Sequence, residues 1–265
     1  MKKLEGKVAL VTASSRGIGF ASADILAENG AIVYIAVFSE EEGKEAIEKI
    51  NAKGKIAKYV YFNAYDKESC TNMVDEVVKN EGKIDILVNN FGATNVKVDF
   101  DVVNGDSDEF INIINNNLRS VYLPCKAAIP VMAKNGGGSI VNISSIGSVI
   151  PDLSRVAYCV SKAAINSLTQ NIALQYGRSN IRCNAVLPGM TLTKALKDNM
   201  PKEFLDSFLR HVPLNRPAVP EDIAKAVLYY ASDDSSYVTG MIHEVAGGFG
   251  LGTPQYAEMM DMKKN

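Results

Sequence analysis

The chain has 265 residues, 47% of them apolar, enough for one large core, and α/β folds of this length are often a single domain. A formal net charge of -2 gives no electrostatic footprint for nucleic acid, and no apolar run approaches the ~20 residues that cross a bilayer. Glu5 and Lys7 interrupt the stretch after Met1-Lys-Lys-Leu4, so no secretion signal is read and a cytoplasmic protein is expected. The four cysteines (Cys70, Cys125, Cys159, Cys183) form no CxxC pair and no metal spacing, so reduced thiols and no metal are expected. His211 and His243 are too few for a histidine-rich metal site or a plausible Ser-His-Asp hydrolase, and both read as structural.

Strand and helix patterns alternate from the start. Lys7–Thr12 is a short apolar run, and 18–29 has helical spacing before Gly30. Ala31–Ala36 is a second β-rich run, followed by a charged amphipathic helix over 40–52 that ends near Gly54. Ile56–Phe62 predicts a third strand, 67–81 a helix and Ile84–Asn89 a fourth strand. A long helix over roughly 108–133, a strand at 139–144 and a helix at 156–177 come next. Ile181–Leu187 and Met241–Val245 bring the total to about seven strands. Short buried runs separated by helices predict a parallel sheet covered on both faces, in one doubly wound α/β domain of the Rossmann type spanning 1–265. Its cofactor half covers about 1–140 and its catalytic and substrate half about 141–265.

The first strand runs into Thr12-Ala-Ser-Ser-Arg-Gly-Ile-Gly19 and then a helix. Glycines let the backbone approach a pyrophosphate, and the helix N-terminus offers unpaired N–H groups with a partial positive charge. Ser14, Ser15, Arg16, Gly17, Ile18 and Gly19 are therefore candidate dinucleotide contacts. Ala13 stands where a glycine is usual and restricts the turn slightly. The second strand leads into Val37-Phe38-Ser39 with no carboxylate before Glu40, whereas NAD-selective sites carry an acid at this end. Arg16 can reach a 2′-phosphate with its fork, which favours NADP(H), with NAD(H) the weaker alternative because Phe38 supplies no second cation.

Tyr158-Cys-Val-Ser-Lys162 lies thirteen residues after Ser145. On a helix over 156–177, Tyr158 and Lys162 share a face one turn apart. A tyrosine is a poor base at neutral pH, and a neighbouring ammonium is expected to bring its pKa down. Ser145, at the carboxyl end of a strand, can hydrogen-bond a substrate oxygen as charge develops. Together with the dinucleotide turn, this set predicts reversible reduction of a carbonyl.

These residues resemble the short-chain dehydrogenase/reductase family over essentially the whole chain. Asn89-Asn-Phe-Gly92 is similar to that family's Asn-Asn-Ala-Gly segment, with Phe91 in place of alanine. Asn117 matches the asparagine of the family's catalytic tetrad, which anchors a proton-relay water. Pro188-Gly189 with Thr191 and Thr193 resembles the segment that clasps the nicotinamide, and Asn63-Ala64 occupies the adenine-binding place where aspartate is more usual. The resemblance implies Asn117, Ser145, Tyr158 and Lys162 in catalysis. It implies Asn63, Ala64, Asn90, Gly92, Tyr158, Lys162, Pro188, Gly189, Thr191 and Thr193 around the cofactor.

After Thr193, residues Leu196, Met200, Phe204, Leu205, Phe208 and Leu209 form a stripe compatible with the apolar face of a lid helix, which would suit a bulky, greasy substrate. Asn90–Asn95, Ser120–Pro124, Val212–Arg216 and the tail Gly240–Tyr256 are similar to segments of the family's bacterial NADP-dependent branch that acts on the 7α-hydroxyl of bile acids. That likeness implies a steroid substrate, and family members commonly assemble as homotetramers through their fourth and fifth long helices. The catalytic set equally fits a 3-oxoacyl-thioester reductase on the same scaffold. A module that binds NADP(H) without turnover is the alternative of another class.

Overall fold

The computed structural model describes residues 2–193 and 201–263. In the first half, β1 (Val8–Thr12), α1 (Gly17–Glu28), β2 (Ile32–Val37), α2 (Glu40–Asn51), β3 (Ile56–Tyr61), α3 (Ser69–Glu81) and β4 (Ile86–Asn89) alternate strictly. The second half continues with α4 (Ser107–Lys134), β5 (Gly138–Ile143), α5 (Val156–Tyr176) and β6 (Ile181–Pro188). It closes with α6 (Lys202–Leu209), α7 (Pro220–Ala231), β7 (Ile242–Val245) and α8 (Tyr256–Met262). The strands form one sheet in the order β3-β2-β1-β4-β5-β6-β7, and every neighbouring pair is parallel. This is the doubly wound arrangement expected from the alternating pattern.

The side-chain period of two along each strand divides the core into two layers. Val8 and Leu10 of β1 face Met73 and Val77 of α3, Val121 and Cys125 of α4 and Ile165 of α5. Ala9 and Val11 face Leu26 of α1, Ile50 of α2 and Ile223 and Val227 of α7. Because both faces are buried, the strands read as continuous apolar runs instead of alternating ones. All four cysteines are unpaired thiols, and burial pushes Cys70 up to about 11 and Cys125 up to about 12. His243 sits on β7 with its Nδ1 2.9 Å from the Tyr230 hydroxyl, a structural contact.

Strand order reverses between β1 and β4, which opens a crevice at their carboxyl ends. Asn90 holds that crevice together. Its backbone N–H donates to Thr12 Oγ1 at 2.9 Å, and its side-chain amide donates to the carbonyls of Thr12 at 3.1 Å and Ala13 at 3.0 Å.

The predicted strands and the first five helices agree with the structure to within a residue or two at most ends. Two helices, α7 and α8, were absent from the expected set. For α7 the signal was present, since Pro220, Glu221 and Asp222 form its first turn and the Asp222 carboxylate accepts the Val219 N–H at 3.0 Å. Of the expected lid stripe, Leu196 and Met200 fall outside the described residues. Leu205, Phe208 and Leu209 on α6 are half-buried, and Phe204 is exposed.

Candidate active site

The turn after β1 is shaped to receive an anion. Gly17 opens α1 at φ +58°, a backbone region that a side chain strains. A Cβ on Gly19 would lie 2.5 Å from the Ala13 carbonyl oxygen and 2.6 Å from Asn90 Nδ2, so only glycine fits there. Arg16 is the N-cap of α1 but makes no side-chain cap, so it takes up none of the helix's leading N–H groups. Ser14 is buried and spends its hydroxyl on the Val11 carbonyl at 2.7 Å, while Ile18 packs on the apolar layer beneath. These features fit the pyrophosphate of a dinucleotide. Ala13 lies at φ 51°, so the alanine in the glycine place holds a left-handed conformation.

Arg16 and Ser15 are not isolated at the surface. The Glu42 carboxylate, in the first turn of α2, accepts Ser15 Oγ at 2.9 Å and Arg16 Nη1 at 3.2 Å. Sequence reasoning missed Glu42 because it lies 26 residues from Arg16 and beyond the end of β2. Phe38 is exposed and packs obliquely on Tyr61, with ring centroids 5.9 Å apart. Past β3, the Asn63 side chain accepts the Tyr65 N–H at 3.0 Å, and the carbonyl of buried Ala64 accepts Arg119 at 3.2 Å from α4. A Cβ on Gly17 would touch Thr193 Cγ2 at 3.4 Å, so the segment after β6 folds across the dinucleotide turn. Thr191 Oγ1 donates to the Gly189 carbonyl at 3.0 Å, and Gly189, next to Pro188, leaves no room for a side chain against Ala246.

At the other end of the crevice, α5 carries Tyr158 and Lys162 toward the ends of β4 and β5. Lys162 is 2% exposed, and its ammonium donates to the Ile143 carbonyl at 2.8 Å and the Phe91 carbonyl at 3.4 Å. Burial brings its pKa down to about 8. A Cβ on Gly92 would lie 2.6 Å from Lys162 Nζ, which explains the glycine after Phe91. Phe91 itself makes edge contacts with Phe62 and Tyr65 at 6.2 and 5.9 Å. The Lys162 nitrogen lies 5.7 Å and the Arg155 guanidinium carbon 5.8 Å from the centroid of the Tyr158 ring.

The Tyr158 phenol does not behave as the sequence argument expects. Burial raises its pKa above the ordinary value, outweighing the lowering effects of a hydrogen bond with Ser145 and of the Arg155 charge. The Lys162 ammonium turns instead to two backbone carbonyls. Ser145 is fixed by its own turn: it accepts the Gly147 N–H at 3.2 Å on Oγ and Ser148 Oγ at 2.5 Å on its carbonyl. Ser148 is tied in turn to Asn166 of α5 at 2.8 Å.

Asn117 is fully buried and works through its side chain. It accepts the Ala93 N–H and donates to the Ala93 carbonyl and to Ser161 Oγ, each at 2.9 Å. Ser161 Oγ donates to the Tyr158 carbonyl at 2.7 Å, so Asn117 clamps the segment after Gly92 to the turn of α5 that bears Tyr158. Asp99, also missed from sequence, is 4% exposed and caps α5 by accepting the N–H groups of Ala157 at 2.9 Å and Tyr158 at 3.1 Å. Among the described residues no cluster of His, Cys, Asp or Glu could hold a metal, and no helix is long and apolar enough to cross a membrane.

This geometry can be set beside known proteins. A family model described as enoyl-(acyl carrier protein) reductase matches residues 12–250. The chain is 68% identical to a 7α-hydroxysteroid dehydrogenase of Clostridium sardiniense over 97% of its own length and 98% of that relative. The chain belongs to the short-chain dehydrogenase/reductase family. A second member of the family, a 7α-hydroxysteroid dehydrogenase of Paraclostridium sordellii, is 56% identical over 99% of both chains. A solved family structure, a 7α-hydroxysteroid dehydrogenase complexed with NADH and 7-oxo glycochenodeoxycholic acid, superposes with a TM-score of 0.88 at 32% identity. That likeness covers 93% of this chain and 95% of the other. On this family fold Gly92, Asn117, Ser145, Tyr158 and Lys162 gather at one end of the crevice, and Asn90 is tied to the dinucleotide turn. Ser15, Arg16, Gly17, Gly19 and Thr193 lie along the dinucleotide turn, and Asn63 and Ala64 stand apart at the end of β3.

Proposed function

We propose that this chain is a 7α-hydroxysteroid dehydrogenase that interconverts the 7α-hydroxyl of bile acids and the 7-ketone, with NADP(H) as the preferred cofactor and NAD(H) as the weaker one. The observation that carries the reading is the Ser145 hydroxyl and buried Lys162 brought to the Tyr158 phenol, in a chain alike nearly end to end to the Clostridium sardiniense enzyme. A bound nicotinamide cofactor supplies the hydride acceptor for oxidation and the hydride donor for reduction. Gly17, Ile18 and Gly19 would hold its pyrophosphate, Arg16 and Ser15 its 2′-phosphate and Asn63 with Ala64 its adenine. Lys162, with Asn90, Gly92, Pro188, Gly189, Thr191 and Thr193, would hold the nicotinamide riboside.

The residues of the chain then divide the work at the substrate oxygen. Ser145 Oγ hydrogen-bonds that oxygen and fixes its distance from Tyr158. Tyr158 gives its phenolic proton to the oxygen in reduction and takes the hydroxyl proton in oxidation. A phenol kept protonated by burial is suited to the donor role at neutral pH. Lys162 places a positive charge near the ring as charge develops on the phenol oxygen. Asn117 acts by position, holding the Gly92 segment and the first turns of α5 in register through Ala93 and Ser161.

An apolar wall for a steroid is built by the tail. Phe249 stacks on Phe208 of α6 at 4.6 Å, and Gly250 (φ +86°) approaches Ile150 so closely that a Cβ would lie 2.3 Å from its Cδ1. The tail thereby joins the lid helix to the turn that holds Ser145. Apolar surface left exposed at Ile111 and Tyr122 on α4 and at Val160 and Leu174 on α5 suits pairing of these helices in a homotetramer. The expected location is the cytoplasm.

The test is NADP(H) absorbance with cholate, chenodeoxycholate and their 7-keto forms, beside 7β epimers and an acetoacetyl thioester, repeated with NAD(H). Turnover confined to 7α-hydroxy and 7-keto substrates supports the assignment. Preference for the thioester discards the steroid reading, and cofactor binding with no turnover on any substrate discards the enzyme reading.

A further inference from the structure

We propose that Glu42 is a specificity-determining residue of the cofactor site, which holds down the preference for NADP(H) over NAD(H) by occupying the two groups that would receive the 2′-phosphate. The inference rests on the reading above that Arg16 and Ser15 face that phosphate. Glu42 bridges both of them: Ser15 Oγ donates to Oε2 at 2.9 Å, and Arg16 Nη1 donates to Oε1 at 3.2 Å. A 2′-phosphate needs the same two donors, so it must displace the carboxylate or bind beside it against like charge. A cofactor with a plain 2′-hydroxyl asks neither, and a carboxylate at this corner can accept that hydroxyl.

The placement of Glu42 is built by the helix that carries it. Ser39 caps α2 by accepting the Glu42 N–H on its Oγ at 3.3 Å, which sets the first turn of α2 against the turn after β1. Glu40 in the same turn is paired with Lys44 at 2.7 Å, so that lysine is engaged within its own helix. Position 38, after β2, carries Phe38, whose ring lies on Tyr61 and supplies no charge. Arg16 is therefore countered by Glu42 without a second cation from position 38. Both partners are partly exposed, 76% for the Arg16 side chain and 46% for that of Glu42. The ion pair by itself is consequently weak, and its effect lies in discrimination more than in stability.

Isothermal titration of NADP⁺ and NAD⁺ into the purified protein tests this without turnover, using wild type, Glu42→Gln, Arg16→Ala and the double variant. Glu42→Gln keeps a polar group of the same size and removes the charge. It is expected to tighten NADP⁺ by about five- to tenfold while NAD⁺ changes less than about twofold or weakens, and the gain is expected to vanish in the Arg16→Ala background. Rising salt should shrink the wild-type-to-variant difference, as for any exposed charge effect. Equal shifts for both cofactors, or no shift for either, overturn the role of Glu42. If Arg16→Ala leaves NADP⁺ affinity untouched, the phosphate assignment of Arg16 has failed. If Arg16→Ala weakens NADP⁺ selectively while Glu42→Gln is silent, only the present inference has failed.

Discussion

The ammonium of Lys162 lies 5.7 Å from the ring centroid of Tyr158, yet its short hydrogen bond, 2.8 Å, goes to the backbone carbonyl of Ile143 at the end of β5. The lysine therefore serves two elements at once, fastening α5 to the sheet and setting a charge beside the phenol. The backbone carbonyl of Tyr158 is held by Asn117 through Ser161, and its phenol faces the Ser145 hydroxyl. Removing the phenol oxygen leaves the Ser161 bond to the Tyr158 carbonyl and the Lys162 bond to the Ile143 carbonyl in place. Tyr158→Phe is expected to lower kcat by about 10²–10⁴-fold, with cofactor affinity within about threefold of wild type because the helix is undisturbed. Steady-state rates with a 7α-hydroxy bile acid and titration of NADP⁺ measure the two quantities. A variant that keeps more than about a tenth of wild-type turnover would contradict a proton-transfer role for Tyr158.

Burial of Lys162 has a consequence for stability. Its folded pKa of about 8 lies below the ordinary 10.5, so between those values the folded protein binds fewer protons than the unfolded chain. Stability must then rise with pH across that window, because the cost of keeping an ammonium buried is relieved as it deprotonates. Below about pH 8 the full cost is present. Lys162→Met carries no such charge, so the wild type should gain on it in thermal midpoint as pH moves from 8 to 10 in the ligand-free protein. Parallel melting curves at pH 7, 8, 9 and 10 give the comparison. A constant difference across that range would mean that Lys162 titrates at its ordinary value.

Much of this molecule could be read from its residues because each feature rested on local pattern. Buried strands such as Leu87–Val88 and the Tyr158–Lys162 spacing need only the period of their own element. What escaped depends on groups brought together from afar. Glu42 meets Arg16 across 26 residues, and Asp99 meets Tyr158 across 59. No local period marks either carboxylate. The raised pKa of Tyr158 escaped for a related reason: the desolvation behind it comes from groups outside the motif, while the neighbouring lysine is visible within it. Helix α7 is the opposite case, with a proline and two acids at its start that already announce it.

Ala13 offers a test of strain within the dinucleotide turn. At φ 51° its methyl group holds a left-handed conformation that costs roughly 1–2 kcal/mol for a residue with a Cβ. Glycine removes that strain but adds about 0.4–1 kcal/mol of unfolded-state entropy. Ala13→Gly is therefore expected to stabilise the fold by about 0.5–1 kcal/mol, raising the thermal midpoint by roughly 1–4 °C. Calorimetry of the ligand-free protein reads this directly. A lowered midpoint would show that the alanine's contacts outweigh its backbone strain.

Asp99 is the positioning residue whose removal should separate geometry from folding. Its carboxylate accepts Ala157 N–H at 2.9 Å, Tyr158 N–H at 3.1 Å and Thr94 Oγ1 at 2.8 Å, while its carbonyl accepts Arg155 N–H at 2.9 Å. Arg155 stands at φ 59° immediately before α5, so the helix start is a strained corner, and the Asp99 side chain is what receives the Ala157 and Tyr158 N–H groups of its first turn. Asp99→Ala leaves two N–H groups without their acceptor and is expected to cost about 1–3 kcal/mol of stability. The same loss lets the first turn of α5 relax and carries Tyr158 off its line to Ser145. Turnover measured well below the variant's melting temperature should therefore fall about tenfold or more, while NADP⁺ affinity changes little. Asp99→Asn keeps one carbonyl acceptor but turns an N–H donor toward either Thr94 or a helix N–H, and it should recover part of the melting temperature and part of kcat together. If Asp99→Ala melts earlier but turns over at the wild-type rate in the cold, Asp99 supports the fold and does not position Tyr158.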